Sequence, residues 1–140
     1  MAIKVFRVKE IALESDYTHP AVSSGEGPVA LMSLDGYGYS YYDDANVTIT
    51  TDGTNASKYD VKVMDATDSD DLAVLKKLRN TPALQLERAT IQEAFDESYS
   101  KVEVYDAMFN DVEAVKTAHN TLKSDINAVY TNKGLPALIS

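Results

Sequence analysis

The chain has 140 residues, of which 44% are hydrophobic and 25% are charged, enough for one folded domain or one compact region with a helical extension. It has no cysteine, which excludes disulfides, thiolate metal sites and cysteine nucleophiles. The net charge is −9, and because no Lys or Arg lies between Lys9 and Lys58, that acidic stretch should repel phosphate and disfavour direct contact with nucleic acid.

The N-terminal part is predicted to be β-rich. Residues 3–9 mix apolar and basic side chains and predict a short strand. Residues 14–28 contain two Pro and two Gly among Ser and Thr, which indicates a long loop. The apolar run 29–34 predicts a second strand, which ends at the turn signal Asp35-Gly36. No segment has the apolar core of a signal peptide or the length of a membrane span, so we expect cytoplasmic synthesis and no membrane partner.

Tyrosine is concentrated in residues 36–42. In an extended strand Tyr37, Tyr39 and Tyr41 share a face, and with the adjoining Tyr42 they form a candidate aromatic contact surface. Such a surface suits sugar rings, bases or a protein partner. The alternative is a strand whose tyrosines cover the edge of the core, and we favour packing or protein contact over binding of a small ligand.

A β-hairpin is predicted over residues 46–64. Residues 46–51 and 58–64 each alternate apolar and polar side chains, as strands with one buried face do. The intervening Asp-Gly-Thr-Asn sequence has turn composition. We therefore expect the two segments to pair with each other.

The acidic segment 65–71 resembles a calcium-binding loop. It lacks two required residues, since Asp70 stands where Gly is needed and Lys76 where a bidentate Glu is needed. We instead expect Ser69 to cap a short helix, and Thr81 with Pro82 to start the next one. The expected organisation is a β-rich region over residues 1–66 and a helical region over 67–140.

The most regular pattern in the chain lies near its C-terminus. Residues 83–131 contain no Gly or Pro, and eight residues within them recur at alternating steps of three and four, as in a coiled-coil seam. The seam consists of Tyr105, Met108, Val112, Val115, His119, Leu122, Ile126 and Val129. The unbroken register favours one long helix, and the alternative is a helical hairpin broken at Asn110. The seam must be buried, against this chain's own β region or against another copy.

Two further features of this region bear on assembly. A polar His119 in an apolar seam usually sets register or oligomer number, and it lacks the neighbours that a metal ligand or catalytic base would need. After the helix, Gly134 is expected in the left-handed conformation. The apolar tail Leu135, Leu138 and Ile139 is expected to pack on a neighbouring surface, so its deletion should weaken attachment and leave the isolated fold intact.

The predicted fold class is α+β: a small, mainly antiparallel β region followed by a short helix and a long C-terminal coiled-coil-like helix or helical hairpin. We find no catalytic residue, no cofactor site and no metal site. The expected function is structural, as a subunit of a symmetric homo-oligomer. The alternatives are a cytoplasmic coiled-coil adaptor and a ligand-binding module that uses the segment Tyr37 to Tyr42.

The chain as a whole resembles small virion structural proteins of tailed bacteriophages, of the decoration, cement or head–tail connector type. The resemblance lies in a Met-Ala start without an export signal, a Thr/Asp/Asn/Gly-rich segment over residues 46–54, a tyrosine-rich turn, the absence of cysteine, and a helix with an apolar tail. It implies an assembly role in a capsid or tail, with other virion proteins as partners and affinity arising from many copies.

Overall fold

The computed structural model describes residues 2–98 and 112–139. Its elements in chain order are β1 (Ile3–Lys9), β2 (Ala21–Val22), β3 (Val29–Leu34), β4 (Tyr37–Asp43), β5 (Val47–Thr48), α1 (Gly53–Lys58), β6 (Lys62–Val63), α2 (Ser69–Leu78), α3 (Pro82–Ser98) and α4 (Val112–Thr131). The protein is therefore α+β, as its sequence predicts.

The main sheet is antiparallel and has the strand order β3-β4-β1-β6. The predicted turn at Asp35-Gly36 joins β3 to β4, and Leu34 pairs with Tyr37 across it. Both turn residues have positive φ, 51° at Asp35 and 84° at Gly36. Two-residue hairpin turns of this kind match the twist of the flanking strands, so the local sequence specifies the register of the edge hairpin.

The hairpin predicted over residues 46–64 is wrong. Val47 in β5 pairs with Val22 of β2, and Val63 in β6 pairs with Phe6 of β1. The helix α1 lies between β5 and β6. Alternation identifies a half-buried strand but not its partner, because any strand with the right exposed edge can supply the backbone hydrogen bonds.

Two apolar clusters lie on the two faces of the main sheet. Val5 and Phe6 are consecutive in β1, so their side chains point to opposite faces. The first core lies between the sheet and the helices and consists of Val5, Tyr39, Met64, Leu75, Leu78, Leu84, Ile126, Val129, Tyr130 and Leu135. The second core consists of Phe6, Tyr42 and Val47. Because the first core combines strand and helix residues, the β-rich and helical regions bury their apolar surfaces against each other.

The helix α2 begins at Ser69, with Asp68 rather than Ser69 as its cap. The Asp68 carboxylate accepts the backbone N–H of Asp70. Asp71, in the first turn, is 4% exposed and accepts a hydrogen bond from Lys62 Nζ at 2.8 Å. Burial alone would raise the pKa of Asp71, but Lys62 and the Asp65 amide stabilise the carboxylate and hold that pKa below its usual value. The acidic segment 65–71 therefore orders the start of a helix.

The helices α3 and α4 form an antiparallel hairpin. Near one end the rings of Phe95 and His119 lie 5.3 Å apart, and near the other Lys133 Nζ lies 2.9 Å from a Glu87 carboxylate oxygen. The expectation of one continuous helix is therefore wrong, and the hairpin alternative is confirmed. The break predicted at Asn110 lies outside the described residues. Folding back allows α3 to bury its own apolar residues, among them Leu84.

Candidate functional site

The C-terminal half of the predicted seam is buried against this chain itself. Ile126 and Val129 are 4% and 6% exposed in the first core, and Leu122 is half-buried against it. Val115 is half-buried outside both cores, and His119 is exposed beside the Phe95 ring. Outside the described residues lie Tyr105, Met108 and the side chain of Val112. Along α4, the seam residues near the C-terminal end are thus buried in the first core, and those nearer the N-terminal end lie outside it.

An open apolar groove runs between α3 and α4 where the seam leaves the core. We call it the hairpin groove. It has a volume of about 440 Å³ and is lined by Ile91 and Ala94 from α3 and by Ala118, Thr121 and Leu122 from α4. Of the described residues that line it, one is acidic, Asp125. The opposite face of α3, around Ala89, is lined by Gln, Arg, Glu and Asp side chains. Among residues 2–98 and 112–139, nothing covers this side of the hairpin, which is therefore apolar and open.

The C-terminal tail is part of the fold. Leu135 is 3% exposed in the first core, Leu138 packs partly buried against that core, and Ile139 is 38% exposed. Arg79 Nη1 donates a 2.7 Å hydrogen bond to the carbonyl oxygen of Ala137. Because the first core includes Leu135, the structure argues against the expectation that the tail can be removed without harm to the isolated fold.

The four tyrosines of the candidate aromatic surface are distributed over both faces of the sheet. Tyr39 is 4% exposed in the first core and Tyr42 is 5% exposed in the second. Tyr37 and Tyr41 are half-buried and pack against the first core. Two of the four are thus withdrawn from any contact surface. Tyr39 and Tyr42 therefore fit the packing alternative. The feature of the sequence that indicated packing was a strand with large residues directed to both of its faces.

Tyr37 belongs to a polar cluster that the sequence did not reveal. Its hydroxyl donates a 2.6 Å hydrogen bond to Asp60 Oδ2, and Arg7 Nη2 donates one of 3.0 Å to Asp60 Oδ1. The Arg7 guanidinium also lies 4.5 Å from the centre of the Tyr37 ring. The Tyr37 hydroxyl and Arg7 lower the pKa of Asp60, and the same bond to Asp60 raises the pKa of Tyr37. These bonds among Arg7, Tyr37 and Asp60 join β1 and β4 to the segment before β6.

A second groove, which we call the β3 groove, lies along strands β1, β3 and β4. It has a volume of about 600 Å³. Strand β3 contributes Ala30 and Met32, strand β1 contributes Phe6 and Val8, and the loop after β1 contributes Leu13, which is 50% exposed. The predicted loop residue His19 also lines it, with its ring 4.6 Å from that of Tyr17. This groove was not predicted, because its residues come from segments far apart in sequence.

Within residues 2–98 and 112–139, no cluster of acidic and histidine side chains is arranged to hold a metal ion. None of the helices in that part of the chain combines the length and the apolar character needed to cross a bilayer.

Comparison with known proteins gave no relatives. The chain matches no protein-family model, and no similar protein or solved structure was found.

Proposed function

We propose that this protein is a structural subunit that assembles with copies of itself through the hairpin groove. The observation that carries the proposal is the position of that groove. It lies beside the heptad seam of α4 and shares Leu122 with it, at the point where the helix extends from Leu122, which packs against the first core, to Ala118, which does not belong to that core. A two-helix layer buries only one side of each helix, so its open apolar side favours a further helix as partner.

A second copy is the occupant that the sequence pattern favours. Heptad seams are self-complementary, because the same small and large side chains supply both the knobs and the holes. A twofold contact would pair the groove with itself, as is usual in homodimers. Ala94 and Ala118 are small, which permits close approach of a helix from the other copy.

The setting we propose is a virion, as an auxiliary capsid or head–tail component. The support is the resemblance to small virion proteins of tailed bacteriophages together with the net charge of −9, which suits contact with protein rather than with packaged DNA. In such a shell, self-association and many weak contacts with other virion proteins add up to stable attachment. Co-sedimentation with assembled capsids or tails, compared with their soluble subunits, tests this setting.

A cytoplasmic adaptor is the second candidate, because an open apolar groove between two helices can also hold a helix from a different protein. A ligand-binding module that uses the tyrosine segment has less support, since Tyr39 and Tyr42 are buried and the Tyr37 hydroxyl is bonded to Asp60.

Two alanines on α3 provide a matched test of self-assembly. Ala94 is exposed in the hairpin groove, whereas Ala89 is exposed on the polar face of the same helix. Ala94→Glu should convert the oligomer to a monomer in sedimentation velocity, because the interface would bury an unpaired carboxylate. Ala89→Glu should leave the mass of the assembly unchanged. Equal masses for both variants and the parent would place the interface elsewhere.

A further inference from the structure

The edge of the main sheet at β3 has the properties of a docking site for an extended peptide. Strand β3 is the last strand on its side of the sheet, so within the described residues one edge of its backbone has no neighbouring strand. Its sequence, Val-Ala-Leu-Met-Ser-Leu, contains no charge and no Pro. Proteins usually protect such edges with Lys, Pro or a covering segment. The register of β3 against β4 shifts between Ala30 and Ser33, and an irregularity of this kind gives an edge some protection.

The β3 groove adjoins this edge. Ala30 and Met32 of β3 line it, and Val29, at the start of the strand, is 38% exposed. A peptide strand added to an edge places alternate side chains on one face of the sheet. Here those side chains would enter an apolar groove formed with Val8 and Leu13.

The charges around β3 specify the partner. Glu26 precedes the strand, Asp35 follows it, and the Glu10 carboxylate accepts a hydrogen bond from the hydroxyl of Ser33 within it. None of the three carboxylates forms an ion pair in the part of the chain that the structure describes. The nearest basic residues in sequence are Lys9 and Lys58. Acidic groups at both ends of an apolar edge complement a segment with apolar residues in its centre and Lys or Arg at both ends.

The same charges disfavour a second copy at this edge. Antiparallel twofold pairing of β3 with itself would place the start of one strand beside the end of the other. Glu26 of each copy would then lie near Asp35 of the other, with no cation between them. We propose that β3 and the β3 groove bind an extended, basic-ended apolar segment of a different protein by strand addition. This surface is separate from the hairpin groove, so the inference does not depend on self-assembly.

A synthetic peptide tests the proposal. The probe has Val and Ile at alternate central positions and two lysines at each end, with a fluorescent label for anisotropy. We expect saturable binding below ~1 mM that weakens as salt is raised. A matched peptide with glutamates at its ends should bind at least about tenfold more weakly. A lysine-ended peptide N-methylated at alternate backbone nitrogens should not bind, since it cannot pair with the edge.

Variants of the protein locate the site. Ala30→Lys adds a positive charge to the groove and should weaken binding of the lysine-ended peptide by about tenfold. Ala89→Lys makes the same change on the polar face of α3 and should have no effect. Val29→Lys is a second edge variant if Ala30→Lys does not fold.

Several distinct results would contradict the proposed binding at β3. Equal affinity for the lysine-ended and glutamate-ended peptides, no binding up to ~1 mM, or binding unaffected by Ala30→Lys and Val29→Lys would overturn the proposal. A fall in the native mass of the protein in both edge variants would show that a second copy occupies the edge, which also contradicts it.

Discussion

The side-chain oxygen of Asn127 accepts the backbone N–H of Ile139 at 2.8 Å, and its amide nitrogen donates to the carbonyl oxygen of the same residue at 2.9 Å. Asn127 also accepts the N–H of Leu138. One side chain on α4 thus satisfies three backbone groups of the tail, in Leu138 and Ile139. The tail is a fixed part of this domain.

The tail should therefore contribute to folding. Leu135→Ala should lower the free energy of unfolding by about 2–5 kcal/mol, because it leaves a cavity in the core. Ile139→Ala, at an exposed position of the same tail, should cost less than about 1 kcal/mol. Urea unfolding followed by circular dichroism measures both. Equal, small losses would mean that the tail is not packed as described.

Gly134 marks a close approach between the two ends of the chain. It has φ +74°, and a Cβ there would lie 2.9 Å from the carbonyl oxygen of Ile3. Gly134→Ala should therefore cost more than the roughly 1–2 kcal/mol of left-handed strain. Gly36→Ala, at φ +84° with open space around it, isolates the strain alone. If thermal unfolding shows the same loss of stability for the two variants, β1 and the residues after α4 are not in close contact at Gly134.

Two fully buried tyrosines should respond differently to loss of the hydroxyl. Tyr130 and Tyr59 are both 0% exposed. Within the described residues the Tyr130 hydroxyl has no hydrogen-bond partner, whereas that of Tyr59 accepts the Glu14 N–H and donates to Asp16. Tyr130→Phe should leave stability unchanged or raise it by up to about 1 kcal/mol, and Tyr59→Phe should lower it by about 1 kcal/mol. A loss in Tyr130→Phe as large as that in Tyr59→Phe would indicate that a buried water satisfies Tyr130.

The carboxylate of Asp60 should contribute to acid sensitivity. Its folded pKa is lowered by the Tyr37 hydroxyl and by Arg7, so its stabilising effect is present above the unfolded value of ~3.9 and is lost as pH falls through the folded pKa. Asp60→Asn tolerates the φ of +46° and removes the charge. We expect a loss of less than about 1 kcal/mol at neutral pH, because Asp60 is partly exposed. The loss should shrink below about pH 4, and a loss independent of pH down to pH 2 would contradict this role.

Local signals in the sequence predicted most of the elements but not how they pair. The strands at residues 3–9 and 29–34, the Asp35-Gly36 turn and the Thr81-Pro82 helix start depend on neighbours in sequence, and the structure has them. The partners of Val47 and Val63 depend on which strand edges are free, which periodicity does not encode. The heptads of α4 likewise predicted a buried seam but left open whether the chain or a copy buries it.

For the candidate sites, too, the local sequence predicted which residues are buried but not which segments come together. Ile126 and Val129 were predicted to be buried, and the structure confirms this. They are buried in the core of a single chain. The hairpin groove appears only once α3 is placed beside α4. The β3 groove combines residues from positions 6 to 40, and no short pattern links them.

The native mass of the unmodified protein tests self-assembly most directly. The chain alone has a mass of 15.3 kDa. Native mass spectrometry and sedimentation at increasing concentration should give a defined integer multiple of that mass, which Ala94→Glu abolishes and Ala89→Glu preserves. A mass of 15.3 kDa at every concentration up to ~1 mM would contradict the account, because an interface that assembles the protein must form at that concentration.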